Sequence, residues 1–259
     1  MSHPEKFSDG QPCWIDIATP DADKRAALVT FLTELFGWTF LVGGPEMAYY
    51  SMAHANGRPV GAISEMAGVP SNWTTYLATA DINKSAASFS QNGGAVLREP
   101  MQVMDLGQMA VVKDAVGAVV GLWQAEKFMG FGIVQEMNTP TWFDLQSDDP
   151  KRAGSFYRDV FGLTVKSMPD SDSAMIGTPD QQWFSVSPKQ PNVPSCWNPV
   201  IQVDSISRIA TELERLGATI LMNDMPVPGG KVVVFADPVV HAPLICFEVD
   251  AHSKIQPTN

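Results

Sequence analysis

The sequence predicts an α+β protein with mixed, largely antiparallel sheets. Three observations support this prediction: each predicted helix is followed by three strand-like segments, this unit recurs along the chain, and the composition is that of a folded globular protein. With 259 residues, of which 45% are hydrophobic, the chain can bury the core of one large domain or of two smaller ones.

The first unit begins with alternating strand residues at 14–17. The segment 19–21 supplies helix-start signals, apolar residues then recur at helical spacing up to Phe36, and Gly37 is a typical helix end. Three strand-like segments follow, and Asn56-Gly57 favours a hairpin turn between the last two. These strands are predicted at 38–42, 47–52 and 60–65.

The same order of elements then starts again. A strand at 73–80 precedes a helix that runs from Asp81 to about Gln91. Two more helices, starting at Asp149 and Asp204, place equivalent units in the second half of the chain. We therefore predict four βαβββ modules. The remaining strands of the second module are predicted at 95–98, 109–113 and 118–123.

The two halves of the chain repeat each other. The segment 12–17, with Trp14 and Asp16, recurs at 140–145 with Trp142 and Asp144, and later landmarks keep the same order. This repeat predicts two domains, residues 11–126 and 137–250, with the segment 126–139 as their connector.

The composition argues against several classes of protein. A formal net charge of −11 without a basic patch is unfavourable for binding nucleic acid or an anionic membrane surface. The chain has three cysteines, no Cys-x-x-Cys, no hydrophobic leader near its N-terminus and no apolar segment long enough to span a bilayer. We therefore expect a cytoplasmic protein that binds neither nucleic acid nor membranes.

Four βαβββ modules in tandem resemble the vicinal oxygen chelate superfamily, which includes glyoxalase I, extradiol dioxygenases and bleomycin-resistance proteins. The resemblance rests on the two Trp-x-Asp segments at 14–16 and 142–144, the helix end at 35–38 and the closing segment 113–124. It implies two glyoxalase- or bleomycin-resistance-like domains, each with a curved mixed sheet around a cavity. Metal-dependent members place His, Gln or Glu on the strands that line this cavity.

The metal positions that the resemblance implies carry few ligands in this chain. Tryptophan and glycine side chains cannot coordinate a metal, and a catalytic divalent site needs about three His or carboxylate ligands. We therefore expect no metal cofactor. Displaced ligands such as Glu65, His54 or Glu248 leave a metal-dependent lyase, isomerase or dioxygenase as an alternative. The implied positions fall on Trp14 and Trp142, about Thr75 and about Asn198, about Gly121 and about Cys246, and near Ser64 and near Ser185.

Aromatic side chains are expected to line the cavities instead. Strand alternation puts Trp14 and Asp16 on one face and their neighbours Ile15 and Ile17 on the other. Indole rings attract flat apolar or cationic molecules, and a carboxylate can orient such a ligand. The candidate ligand-binding residues are Trp14, Asp16, Trp73, Trp123, Trp142, Asp144, Trp197, Cys246 and Glu248.

These residues lead us to expect a protein that binds a small organic ligand, apolar, aromatic or cationic, without a metal. Two further alternatives stay open: a metal-free enzyme in which Asp16 or Asp144 is a general base, and a structural role in which indole and carboxylate fill the cavity themselves. Because duplication supplies both halves of each cavity in one chain, the sequence is compatible with a monomer or a homodimer.

Overall fold

The computed structural model describes residues 2–250, which form two domains with one eight-stranded sheet each. The first domain contains β1 (Pro12–Thr19), α1 (Ala22–Phe36), β2 (Thr39–Val42), β3 (Ser51–Ala55), β4 (Arg58–Glu65), β5 (Trp73–Ala78), α2 (Ile82–Gln91), β6 (Ala95–Val103), β7 (Gly107–Lys113) and β8 (Val119–Ala125). The second contains β9 (Pro140–Ser147), α3 (Pro150–Phe161), β10 (Thr164–Ser167), β11 (Ala174–Gly177), β12 (Gln182–Pro188), β13 (Cys196–Val203), α4 (Ile206–Arg215), β14 (Thr219–Val227), β15 (Gly230–Ala236) and β16 (Pro243–Val249).

Each sheet joins its two modules through their first strands. The first sheet has the order β2-β3-β4-β1-β5-β8-β7-β6, and β1 runs parallel to β4 but antiparallel to β5. The second sheet has the equivalent order β10-β11-β12-β9-β13-β16-β15-β14. Four βαβββ modules in two mixed sheets confirm the predicted α+β fold.

Polar side chains fix the starts of the helices. Three helices begin after a predicted aspartate whose carboxylate accepts a hydrogen bond from the backbone N–H three residues later, at 2.8–3.0 Å: Asp21, Asp81 and Asp149. The fourth helix departs from the prediction by one residue. Ser205 is its N-cap, since its hydroxyl accepts from the Arg208 N–H at 3.3 Å, whereas Asp204 binds the Arg208 guanidinium.

One predicted strand is displaced along the chain. Residues Pro45–Met47 form a 3₁₀ turn, and Ala48 and Tyr49 have left-handed φ angles of 48° and 53°. Proline at the start of a helical turn favours this geometry. The strand predicted at 47–52 therefore begins only at Ser51.

The helices cover one face of each sheet, and the two helical layers meet. α1 packs against α4 and α2 against α3. A buried hydrogen bond crosses this junction from the Tyr157 hydroxyl of α3 to Asp114 Oδ2 of the first domain (2.9 Å), and within the second domain Trp197 Nε1 donates to the same hydroxyl (3.2 Å). We call the opposite faces of the two sheets the first and second helix-free faces. Among residues 2–250, no helix has the length and apolarity to cross a membrane.

Candidate functional site

The first helix-free face carries Trp14 and Asp16 of β1, as strand alternation predicts. Tyr76 of β5 lies opposite Trp14, and Gly121 of β8 pairs with Tyr76. Residues paired across neighbouring strands share a face, and so does Trp123, two positions after Gly121. Three buried aromatic side chains thus lie on the same face as the half-buried Asp16.

The Asp16 carboxyl group accepts two phenolic hydrogen bonds on one oxygen. The Tyr76 and Tyr50 hydroxyls lie 3.1 and 3.3 Å from Oδ2. Trp14 Nε1 in turn donates to the Tyr50 hydroxyl at 2.8 Å. Within residues 2–250, no hydrogen-bond donor reaches Oδ1 and no basic side chain pairs with this carboxylate. One oxygen of Asp16 is therefore free to meet a ligand.

Burial controls the ionisation of this cluster. It raises the pKa of Asp16 from the usual 3.8 to about 6, and the tyrosine hydrogen bonds oppose only part of this effect. Burial also raises the pKa values of Tyr50 and Tyr76 well above the usual value, and the nearby carboxylate adds to this increase. A carboxyl group with a pKa near neutrality can attract a cation or transfer a proton.

The connector between the domains covers part of the first helix-free face. Phe128 packs edge-on against Trp14 and Trp123, with ring centroids 4.8 and 6.1 Å apart. The Phe128 carbonyl accepts a hydrogen bond from Trp123 Nε1 at 2.9 Å. An aromatic ring of the protein itself therefore occupies the space between the two indoles.

A cavity of about 340 Å³ adjoins this aromatic wall. Ala78, Trp123 and Ala125 line it from the first sheet, Met129 from the connector, and residues 6–9 from the N-terminal segment. This volume falls within the range of about 300–1,000 Å³ that is typical of small-molecule sites. The cavity gives a ligand room beside Trp123.

The second helix-free face holds the equivalent carboxylate in a different way. Ser185 and Ser187 donate hydrogen bonds to Asp144 Oδ1 and Oδ2, at 2.6 and 2.7 Å, and Trp142 Nε1 donates to Ser185 Oγ at 3.0 Å. Burial raises the pKa of Asp144, although bonds from Ser185, Ser187 and Gln146 oppose the increase. Both oxygens of Asp144 are thus occupied by protein hydroxyls.

Beyond Asp144 and its polar neighbours, which include the paired Asn198, the second helix-free face carries an apolar patch. Four buried aliphatic side chains form a cluster separate from the main core, with Trp142 and Phe247 packed beside it: Val200, Val232, Val234 and Ile245. Neither this cluster nor the hydrophobic residues packed against it include a charged side chain. The second face therefore combines a saturated carboxylate with a hydrophobic surface.

Two predicted tryptophans lie on the helix-covered side instead of in a cavity. Trp73 pairs with Ile17, and Trp197 pairs with Leu145, both of which face the helices. Trp197 also donates its indole N–H to Tyr157 of α3. The expectation that these indoles line a cavity was wrong, because the register of β5 and β13 turns them toward the core.

Cys246 and Glu248 are also placed away from the second cavity. Cys246 pairs with Val233 and Ile201 on the buried helix side, and burial raises its thiol pKa well above the usual value. Glu248 Oε2 accepts a hydrogen bond from the Ile206 N–H at 2.6 Å, at the start of α4. Glu248 therefore stabilises a helix N-terminus, which corrects its predicted place among the ligand-binding residues.

The residues at the implied metal positions do not fit a divalent ion. In the first domain they are Trp14, Thr75, Gly121 and Ser64; Gly121 has no side chain to offer, and a Cβ there would collide with the Tyr76 ring. Thr75, the implied ligand position on β5, faces the helices. Each face supplies one aspartate, and residues 2–250 contain no cluster of three or more His, Cys, Asp or Glu that could hold a metal.

The side chains proposed as displaced ligands have other partners. Arg25 Nε lies 3.4 Å from Glu65 Oε2, and Glu248 binds the start of α4. His54 Nδ1 lies 3.2 Å from the Met52 carbonyl. These three residues do not converge on one point in the described chain.

Sequence reasoning missed several residues of the site. Tyr50 lies between the 3₁₀ turn and the shifted start of β3, and Phe128 belongs to the connector, which has no strand periodicity. Tyr76 could have been found, because it alternates with Thr74 on a predicted strand. Ser187 could have been found in the same way, as it follows Ser185 by two positions.

Comparisons of the whole chain point to one group of proteins. The family described as "Bleomycin resistance protein-like N-terminal" matches residues 139–179. A Mycobacterium tuberculosis protein named "Putative glyoxylase CFP32" is 32% identical over 252 residues, which cover 92% of this chain and 95% of that protein. "Anthracycline biosynthesis protein DauV" of Streptomyces sp. strain C5 is 31% identical over 195 residues, or 69% of this chain and 68% of that one.

Solved structures share the fold at low sequence identity. Homoprotocatechuate 2,3-dioxygenase from Brevibacterium fuscum superimposes with a TM-score of 0.67 at 13% identity, over 99% of this chain and 86% of its own. The Mn(II)-bound glyoxalase from Novosphingobium aromaticivorans gives a TM-score of 0.65 at 16% identity, over 96% of this chain and 83% of its own.

Proposed function

The chain belongs to the vicinal oxygen chelate superfamily, and on that premise we propose that it is a metal-independent small-molecule-binding protein. Its ligand is a flat organic molecule, apolar and aromatic or cationic, held against the indole wall of the first helix-free face. The observation that carries this proposal is the position of Asp16 next to the Trp14 indole. Its Oδ1 forms no hydrogen bond with any described residue.

Charge favours a cationic ligand at this site. With a pKa near 6, Asp16 is largely ionised at neutral pH, and no basic side chain in the described chain pairs with it. A buried carboxylate without a counter-charge is costly, so a cation that reaches Oδ1 removes an existing penalty. The faces of Trp14 and Trp123 add cation–π attraction.

Space and shape favour an aromatic ligand. Phe128 already places a ring between Trp14 and Trp123, which is consistent with that gap accepting a flat group. The 340 Å³ cavity beside Trp123 offers room for the remainder of the molecule. A ligand that reaches Asp16 would compete with the Phe128 side chain for the indole faces.

Two isosteric probes test this proposal by isothermal titration calorimetry in the presence of EDTA. We expect 1-methylquinolinium to bind more tightly than the neutral 1-methylnaphthalene, because only the cation can pair with Asp16. Equal binding would assign a neutral aromatic ligand and contradict the role of the carboxylate. Binding of neither probe would contradict the proposed wall.

Metal analysis tests the metal-independent part of the proposal. Protein purified without chelator should contain substoichiometric Fe, Mn, Ni and Zn. A stoichiometric metal that survives dialysis would favour the alternative, a metal-dependent lyase, isomerase or dioxygenase. This test is necessary because one protein of similar fold is an Mn(II)-bound glyoxalase and another is a dioxygenase.

Metal-free acid–base catalysis is a second candidate function, and the pKa of Asp16 favours it. A carboxyl group that titrates near pH 6 beside two phenols can accept and return a proton. The names of the mycobacterial and Streptomyces relatives, a glyoxylase and a biosynthesis protein, are compatible with an enzyme. Turnover found in a substrate screen should survive EDTA and be lost in Asp16→Asn; unchanged turnover in that variant would contradict this candidate.

The expected setting is the cytoplasm, because the cysteines of the described chain are free thiols. Each helix-free face is built from two modules of one chain, so the site needs no second copy. We therefore expect ligand binding by a monomer, and a homodimer would bind in the same way. Light scattering with and without 1-methylquinolinium checks this expectation.

A further inference from the structure

An arginine lies on the first helix-free face at one edge of the sheet. β6 is the edge strand, and its residue Arg98 pairs with Val111 of β7. Val111 pairs in turn with Gly121 of β8, and Gly121 pairs with Tyr76 of β5. Paired residues of neighbouring strands share a face. Arg98 therefore belongs to the same row of side chains as Tyr76, the phenol that donates a hydrogen bond to Asp16.

The row between Arg98 and Tyr76 carries little bulk. Gly121 has no side chain, and the Tyr76 ring takes the place that a Cβ would occupy there. Val111 is only half-buried. Burial and the Asp16 carboxylate raise the pKa of Tyr76, and the positive charge of Arg98 opposes them. A guanidinium close enough to act on this phenol is close enough to act on a ligand bound beside it.

The Arg98 side chain is exposed and has no carboxylate partner. Within residues 2–250 it forms no ion pair, whereas Arg25, Arg158 and Arg208 each bind a carboxylate. A guanidinium without such a partner is available to an anion from solution. Its planar fork of N–H groups can hold a carboxylate through two parallel hydrogen bonds.

Asp16 and Arg98 are too far apart to neutralise each other. Their strands, β1 and β6, are separated by four strand spacings of about 4.8 Å, or roughly 19 Å across a flat sheet. Burial raises the pKa of Asp16 and two tyrosine hydrogen bonds lower it, and Arg98 does not contribute. Tyr76 and Trp123 lie on the strands between them. Charges of opposite sign therefore flank an aromatic strip.

We propose that the ligand of the first helix-free face is amphoteric: a fused aromatic ring system with a cationic group at one end, which meets Asp16, and a carboxylate at the other, which meets Arg98. This proposal rests on the proposed function, because it adds an anion-binding end to the cation-binding wall. Arg98 is on this account a specificity-determining residue. It selects among aromatic cations and is not required to bind them.

Three related cations test the proposal by isothermal titration calorimetry at pH 7.5 with EDTA present. 1-Methylquinolinium-6-carboxylate carries both charges, the 6-carboxamide has the same size without the negative charge, and 1-methylquinolinium is the parent cation. Each is titrated into wild type, Arg98→Met and the control Arg152→Met. Arg152 is an exposed residue of α3 that also forms no ion pair among the described residues, so its replacement removes the same charge from the helical side.

We expect wild type to bind the carboxylate about tenfold more tightly than the carboxamide, because a bidentate ion pair with Arg98 is added. This preference should disappear in Arg98→Met and persist in Arg152→Met. The affinity for the parent cation should be the same in all three proteins, since that probe does not reach Arg98.

Equal binding of carboxylate and carboxamide to wild type would overturn the proposal, and so would a carboxylate preference that survives in Arg98→Met. Both results leave the proposed function intact as long as the parent cation binds. If the parent cation does not bind but the carboxylate binds in an Arg98-dependent way, the anion-binding end is supported and the cation-binding wall is contradicted. Binding of none of the three probes would overturn both.

Discussion

The two helix-free faces start from the same Trp-x-Asp motif and end in different environments. On the first face, both phenolic donors meet Oδ2 of Asp16 and no described residue binds its Oδ1. On the second, serine hydroxyls saturate both oxygens of Asp144. The motif places a carboxyl group on the face, and residues from neighbouring strands decide whether that group is available to a ligand.

The register of the strands explains the difference. Tyr76 lies opposite Trp14, whereas Val200 lies opposite Trp142. On the next strand, Gly121 pairs with Tyr76, and Ile245 pairs with Val200. The large Tyr76 beside Gly121 on the first face thus corresponds to the medium-sized Val200 beside Ile245 on the second. The exchange gives the first face a phenol and the second a hydrophobic surface.

The largest effect is expected from breaking the Tyr76–Gly121 pair. Gly121→Ile should lower the free energy of unfolding by about 3 kcal/mol, because the new side chain overlaps the Tyr76 ring. The double variant Tyr76→Val with Gly121→Ile recreates the pair of the second face and should recover most of this loss. Urea unfolding measures both. A single variant as stable as wild type would contradict the packing argument.

The second-largest effect is expected in the pH dependence of the unfolding free energy, through Asp16. The pKa of Asp16 is raised in the folded protein from 3.8 to about 6, so folding favours the protonated form. The associated stability is complete below pH 4 and is lost as the pH rises through 6, by roughly 2 kcal/mol after allowance for partial exposure.

Asp16→Asn isolates this contribution, because asparagine resembles the protonated acid and does not titrate. The difference in unfolding free energy between wild type and variant should therefore fall with rising pH between 4 and 7. A difference that is constant over this range would show that burial does not raise the pKa of Asp16.

The hydrogen bonds from serine hydroxyls to Asp144 on the second face are expected to contribute less to the free energy of unfolding. Ser187→Ala should cost about 1.5 kcal/mol, since it removes a hydrogen bond to a buried carboxylate. Ser64 takes the equivalent position on the first face, and its hydroxyl donates to the Ile17 carbonyl at 3.4 Å and to no carboxylate among the described residues. Ser64→Ala is therefore the matched control and should change stability by under about 0.5 kcal/mol. Equal losses in the two variants would contradict the comparison.

The smallest expected effect is on ligand affinity in a Phe128 variant, which tests whether the Phe128 ring competes with the ligand. Phe128→Ala should tighten binding of 1-methylquinolinium about fivefold, because the indole faces become free. Phe247→Ala on the second face should leave this affinity unchanged. Weaker binding in Phe128→Ala would instead make Phe128 part of the binding wall.

The sequence predicted the modules well because their signals are local. Helix caps at Asp21, Asp81 and Asp149, and the alternation around Trp14, depend on residues close in the chain. The family resemblance then supplied the pairing of modules. The shifted strand near 47–52 was missed because a 3₁₀ turn has no clear period.

The candidate site was predictable only where one strand sufficed. Alternation shows which residues of a strand share a face, but not which face is turned toward the helices. Trp73 and Trp197 were misplaced for this reason, because their sides depend on pairing with Ile17 and Leu145. The role of Glu248 depends on α4 packing near its strand, which no local pattern indicates.

The central claim is that only the first face binds a ligand through its carboxylate. It is tested most directly by titrating 1-methylquinolinium into wild type, Asp16→Asn and Asp144→Asn, by calorimetry at pH 7.5 with EDTA present. The account predicts at least about tenfold weaker binding in Asp16→Asn, because an ion pair in a partly buried site is lost, and wild-type affinity in Asp144→Asn. Equal affinity in all three proteins, or a loss confined to Asp144→Asn, would contradict it.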